Sequence, residues 1–214
     1  MYVRVNPVPT EWFADDVRDG LHPFITGVIV PKLETPEQLA TVSDALATAG
    51  LEQLHVLAGI ESAAGVERVR ELLVPPVAVA YFGAEDYVAD LGGVRTPQND
   101  EVAHARAHVA MAARVAGVPA LDMVTIDFGG HERFVTEARQ ARALGYSGKL
   151  CIHPGQVGLA NEAFLPSPEE TDHARRLLDA FDGAGGATIA FEGQMVDEVV
   201  AARARAVVAA ADRS

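Results

Sequence analysis

Residues 77–82, Val-Ala-Val-Ala-Tyr-Phe, form an apolar run that breaks at once into an acidic turn, Gly83-Ala84-Glu85-Asp86. A short continuous apolar run bounded by a turn is how a strand buried on both faces reads. The run at 53–60 has the same design and ends on Glu61. One strand–helix–strand unit separates the two acids, which places them at the same end of neighbouring parallel strands. Two such carboxylates can hold one hard divalent cation such as Mg²⁺ and leave its other positions to water and substrate. Gly83 permits backbone angles that a Cβ resists, so the amides of 83–86 can point into one concavity beside the Asp86 carboxylate.

The same grammar runs through the chain. Short strands are predicted at 2–5 and 24–30, the second closing on Pro31-Lys32. Thr35-Pro36-Glu37-Gln38 starts a helix, with a capping hydroxyl, a proline in the first turn and Gln three residues after the cap. Helices are also predicted at 10–21, 62–73 and 132–144, and from Thr96-Pro97 to Gly117. Further strands are predicted at 123–126, ending on Asp127, and at 150–152, ending on His153-Pro154. Ser167-Pro168-Glu169-Glu170 repeats the helix-start pattern, followed by a small hairpin at 187–193 and an alanine-rich helix at 196–211.

Six strands alternating with helices imply a parallel sheet, either a (β/α)₈ barrel or a doubly wound sheet. Arg4, Asn6, Lys32, Glu61, Asp86, Asp127 and His153 all fall where a strand finishes. In a barrel such residues converge on one mouth. A doubly wound sheet should carry a glycine-rich phosphate loop near its first strand, and there is none. The barrel is favoured. A typical barrel has eight strands and about 250 residues. Six strands imply either an open sheet or two strands that precede Met1.

The bulk properties fit one such domain. The chain has 214 residues, 49% of them hydrophobic and 22% charged, an ordinary globular balance. Its net charge of −13, with no basic stripe, argues against nucleic acid and anionic membranes as partners. No apolar run approaches the roughly 18 residues that span a bilayer. The opening MYVRVNPV lacks a basic region followed by an apolar one, so no secretory leader is expected. The single cysteine, Cys151, excludes an intrachain disulfide and suits a reducing cytoplasm.

Seven stretches, in order, carry a resemblance: VRVN at 3–6, VPK at 30–32, GIES at 59–62, FGAEDYVADLG at 82–92, HARAHVAMAARVAGVPALD at 104–122, GYSGKLCIHPGQV at 145–157 and GQMVDE at 193–198. Together they resemble the citrate lyase beta-subunit-like, CoA-lyase branch of the HpcH/HpaI aldolase family. The resemblance implies a TIM (β/α)₈-type barrel of the phosphoenolpyruvate/pyruvate superfamily, without the family's first two barrel strands, their VPG turn and their acidic LDLED stretch. It further implies a barrel over 1–166 and a C-terminal helical lid over 167–214, in a homo-oligomer. The implied activity is a Mg²⁺-dependent carbon–carbon lyase reaction on a 3-hydroxyacyl-CoA such as citramalyl-CoA or malyl-CoA, giving acetyl-CoA and a 2-oxo acid. By matching position, Glu61 and Asp86 are the implied metal ligands, and Arg4 binds the reacting oxygen. Asp197 is the implied acid/base, reaching a neighbouring subunit's site. Gly83, Ala84 and Glu85 are expected to bind substrate, with Lys32 and His153 as further candidates for a phosphate or the CoA arm.

Simpler roles compete for most of these residues. Arg4 can serve a structural ion pair, Glu85 can face solvent, and Asp197 can cap the last helix. His104 and His108 are four apart on a helix, but no third ligand accompanies them, so a solvated face is expected. Cys151, inside an expected strand, reads as a small buried hydrophobe. No Ser-His-Asp order or nucleophile elbow is visible. Two other functions remain: a non-catalytic CoA-binding remnant, and a pyruvate aldolase that uses no CoA. The GQMVD tail argues against the latter.

Overall fold

The computed structural model describes residues 1–127 and 129–212. They divide into two compact units, Met1–Ala160 and Asn161–Ser214. The first unit holds β1 (Tyr2–Arg4), α1 (Phe13–Gly20), β2 (Gly27–Val30), α2 (Pro36–Thr48), β3 (His55–Ile60), α3 (Ala63–Glu67), α4 (Val69–Leu72), β4 (Val77–Phe82), α5 (Ala84–Asp90), α6 (Ala103–Ala116), β5 (Ala120–Asp122), α7 (His131–Leu144) and β6 (Gly148–Lys149). Helix α8 (Gly155–Phe164) follows. The second unit holds α9 (Pro168–Gly183), a hairpin of β7 (Ile189–Phe191) and β8 (Gln194–Val196), and α10 (Glu198–Ala211).

All six strands of the first unit are parallel and lie in the order 1-2-3-4-5-6. The order never reverses, which is the arrangement of a barrel wall and not of a doubly wound sheet. Side chains from the strands or their ends, Arg4, Ile29, Leu57, Tyr81, Val124 and Leu150, line one shared cavity, so the sheet curls around it. Strand alternation divides the wall: Leu57 and Glu61 face the cavity, while Val56, Ala58 and Ile60, all fully buried, face the other way.

Local chemistry sets the helices. The Thr35 hydroxyl accepts the Gln38 amide at 3.2 Å and Pro36 opens α2. Ser167 and Glu170 form a complete capping box at the start of α9. The two helices and the hairpin of the second unit bury Leu177, Phe181, Val196 and Ala201 together.

Several boundaries differ from the sequence reading. The strand expected at 123–126 lies at Ala120–Asp122, and the one expected at 150–152 lies at Gly148–Lys149. The reason is that both true strands end on charged residues that are buried. Asp122 receives the Arg106 guanidinium through two hydrogen bonds of 2.8 Å and the Lys149 ammonium at 3.1 Å. Lys149 also donates to the Met123 carbonyl at 2.6 Å and lies 3.4 Å from Glu137. Glu137 in turn accepts from Thr125, Asn99 and Arg133. This network joins α6 and α7 to the outer strands of the wall. The helix expected at 62–73 is two short helices, α3 and α4, and the long helix expected from Thr96-Pro97 begins only at Ala103 after one 3₁₀ turn. Helix α8 is unforeseen, because Gly155 and Gly158 weaken its pattern. Among the described residues no helix is long and apolar enough to cross a membrane.

Candidate functional site

A cavity of about 380 Å³ opens at the C-terminal ends of the strands. Glu61 follows β3 and is 6% exposed, while Asp86 sits in the first turn of α5 with its side chain half exposed. Both line the cavity, with Arg4, Tyr81, Gly83, Ala84 and Glu85. The two acids are bridged by one residue. The Lys32 amide donates to Glu61 Oε1 at 2.9 Å, and the Lys32 ammonium pairs with Asp86 Oδ1 at 3.0 Å. Lys32 holds this position in a left-handed conformation, φ +51°.

Close approach at the site depends on Gly83. A Cβ there would stand 2.5 Å from both Cβ and Oε2 of Glu61. The Gly83 amide itself donates to the Ile60 carbonyl at 3.0 Å, so it is not one of the free donors that the sequence suggests. The amides of Ala84, Glu85 and Asp86 are first-turn donors, which a helix leaves without an intrahelical partner. The Glu85 carboxylate turns to Arg95 at 2.8 Å, which leaves only its backbone to serve a ligand. Arg95 also pairs with Glu101.

The electrostatics suit a cation. Burial raises the proton affinity of Glu61 above that of an ordinary carboxylate; the Lys32 amide opposes this and the Asp86 charge adds to it. A positive charge beside the Glu61 carboxylate would favour its ionised form. Lys32 is held more firmly protonated by its hydrogen bond and charge pairing with Asp86. Among the described residues no group of three or more His, Cys, Asp or Glu is arranged to hold a metal ion. A donor set of two carboxylates fits Mg²⁺, which keeps several waters, and not a closed structural Zn²⁺ site.

The other residues that the sequence singles out have local contacts of their own. Asp197 lies in the second unit and caps α10, accepting the Val200 amide at 3.1 Å. His153 follows β6, accepts the Gly155 amide at 3.0 Å and is not among the residues lining the cavity. His104 and His108 stack on α6 with ring centroids 6.0 Å apart. Cys151 is not inside a strand: it follows β6, is only half-buried and lines the cavity, with burial pushing its thiol up. Two contributors escaped the sequence reading. Tyr81 lines the cavity, and its hydroxyl lies in the space that a side chain at Gly59 would occupy. Gln156, 1% exposed, ties the Ile152 amide to the Thr125 carbonyl and so holds together the loops after β5 and β6.

Comparison with known proteins agrees with this geometry. The pattern of the HpcH/HpaI aldolase/citrate lyase family matches residues 1–154. A citrate lyase subunit beta-like protein of Deinococcus radiodurans is 51% identical over 209 residues, covering 96% of this chain and 73% of that protein. Citrate lyase subunit beta of Escherichia coli K12 is 34% identical, covering 99% of this chain and 74% of that protein. The crystal structure of CitE from Mycobacterium tuberculosis, in complex with magnesium, acetoacetate and coenzyme A, superposes with a TM-score of 0.86 at 34% identity, covering 99% of this chain and 78% of that one. A six-stranded parallel wall in sequential order, two acids at adjacent strand ends and these likenesses lead to one conclusion: the chain belongs to the HpcH/HpaI aldolase/citrate lyase family.

Proposed function

We propose that this chain is a Mg²⁺-dependent carbon–carbon lyase that cleaves a 3-hydroxyacyl-CoA, such as citramalyl-CoA or malyl-CoA, into acetyl-CoA and a 2-oxo acid, or runs the reverse condensation. The observation that carries the reading is the pair Glu61 and Asp86, bridged by Lys32 at the mouth of a cavity that Arg4 also lines. The magnesium, acetoacetate and coenzyme A held by the Mycobacterium tuberculosis protein support the choice of metal and thioester. Glu61 and Asp86 would hold the ion, which when bound stabilises negative charge on the oxygens of the hydroxyacid half.

The chain's own groups supply the rest. Cleavage moves the hydroxyl proton off the substrate, turns that carbon into a carbonyl and breaks the adjacent carbon–carbon bond. The released electron pair stays on the thioester as an enolate, which takes up a proton to give acetyl-CoA. Arg4 offers a fixed positive charge and a planar fork of donors to the oxygen that becomes the carbonyl. The amides of Ala84, Glu85 and Asp86 receive the substrate carboxylate. Lys32 adds positive charge at the same rim. Asp197, delivered from a neighbouring copy of the chain, exchanges the proton at the thioester α-carbon.

Purified protein supplied with citramalyl-CoA and malyl-CoA should release acetyl-CoA with Mg²⁺ present and lose that activity in EDTA. Glu61→Gln and Asp86→Asn should each lower kcat/KM by roughly 10²–10³. Absence of turnover on a panel of such thioesters, in protein that binds the metal, refutes the reading.

A further inference from the structure

Among the described residues that line the cavity are three carboxylates, Glu61, Asp86 and Glu85, and one guanidinium, Arg4. In the reading above, Glu61 and Asp86 hold the cation. The Glu85 side chain has no such use, and an unpaired carboxylate there would repel any substrate that carries one. A second cavity, of about 190 Å³, shares Glu85 and Val124 with the first, and Arg95 lines the second and not the first. Glu85 thus stands on the partition between the two, and the Arg95 Nε donates to its Oε1 at 2.8 Å.

The rest of the guanidinium is fixed from the far side. One terminal nitrogen donates to Glu101 Oε1, and the other to Asn99 Oδ1 at 3.0 Å. Glu101 Oε2 accepts the Thr96 hydroxyl at 2.5 Å. Asn99 is 6% exposed, holds a left-handed backbone at φ +62° and donates to Glu137 Oε1 at 3.2 Å. All three nitrogens of Arg95 are therefore engaged, and the group cannot follow Glu85 into the first cavity without breaking the bonds behind it. Two acids share this arginine; Glu101 lines neither cavity, whereas Glu85 lines both. We propose that Arg95 is a positioning residue that holds the Glu85 carboxylate at the partition and neutralises it, so that the first cavity accepts a substrate bearing a carboxylate. The proposal rests on the reading of that cavity as the site of a 2-oxo acid and a divalent cation.

The test compares an anion with a cation on the full chain. Binding of pyruvate and of glyoxylate is followed by titration calorimetry at saturating Mg²⁺, and binding of Mn²⁺ alone by electron paramagnetic resonance. Arg95→Met removes the charge and keeps much of the stem. It should weaken binding of both acids about tenfold or more, because Glu85 is left as an uncompensated like charge. Mn²⁺ affinity should hold or rise in the same variant, since the cavity has become more negative. An ion pair of purely structural value would instead loosen the turn that carries Asp86 and weaken cation and anion together. Adding Glu85→Gln to Arg95→Met should recover most of the lost affinity for the acids, because the unpaired charge is gone. Should Arg95→Met fail to fold, as judged by circular dichroism, Arg95→Gln, which keeps a polar donor toward Asn99, carries the same measurements. Parent-like affinity for the acids, a parallel loss of Mn²⁺ affinity, or no recovery in the double variant overturns the proposal and leaves the metal and thioester reading standing. Failure of the parent chain to bind either acid removes both.

Discussion

Replacing Asp122 by asparagine tests the network that fastens β5 and β6 to the helices. Asp122 is fully buried, and its two oxygens take both Arg106 hydrogen bonds and the Lys149 ammonium. Asparagine has the same shape but no charge, and its NH₂ group would face donors. Lys149 would then have only the Glu137 carboxylate, 3.4 Å away and already engaged by Arg133, and Arg106 would keep only the Glu137 backbone carbonyl at 3.0 Å. Removing one partner of a buried charge pair costs about 3–5 kcal/mol. For a unit of this length, Met1–Ala160, each kcal/mol lowers Tm by about 2–4 °C. A loss near 4 kcal/mol thus means about 8–16 °C, read by calorimetry or by circular dichroism during heating. The double variant Asp122→Asn with Lys149→Met should fall short of the sum of the singles by about 0.5–3 kcal/mol, because the second change removes a cation that the first left unpaired. A drop below about 3 °C for Asp122→Asn would show that water or a local shift satisfies the cations, and would refute the reasoning.

Two further outcomes follow from the structure. Glu137 titrates at about 2 in the folded chain: burial pushes its carboxyl up, but hydrogen bonds from Thr125 and Arg133, the Lys149 charge and the Asn99 hydrogen bond outweigh it. A folded pKa held below the ordinary 4.5 gives stability that is fully present above about pH 5 and fades as the pH falls toward 2, so Glu137→Gln should flatten that acid limb in urea unfolding. Asp197→Asn should keep helix α10, since asparagine caps as well as aspartate, yet lose thioester turnover; unchanged turnover in that variant removes Asp197 from the chemistry.

What could be read directly from the residues follows from how local each signal is. Strands β3 and β4 are apolar runs whose pattern needs no partner to recognise. The starts of α2 and α9 are written in capping residues a few positions apart. Glu61 and Asp86 were legible as a pair because a strand–helix–strand unit fixes where their strand ends lie. Strands β5 and β6 were displaced in the reading because Asp122 and Lys149 look like surface residues until each is seen to bury the other's charge. Tyr81 was invisible as a cavity residue, because its placement depends on an absent side chain one strand away. Arg95 claims the Glu85 carboxylate from ten residues downstream, a pairing that no spacing rule announces.

Lys32 leaves a last consequence. A left-handed backbone is comfortable for glycine and costs a residue with a side chain about 1 kcal/mol or more. Glycine at 32 would keep the amide that grips Glu61 and relieve that penalty, so the fold alone gives no reason for lysine there. The bend brings the lysine ammonium to 3.0 Å from Asp86 Oδ1. Robustness is surrendered locally for a positive charge beside the acid pair.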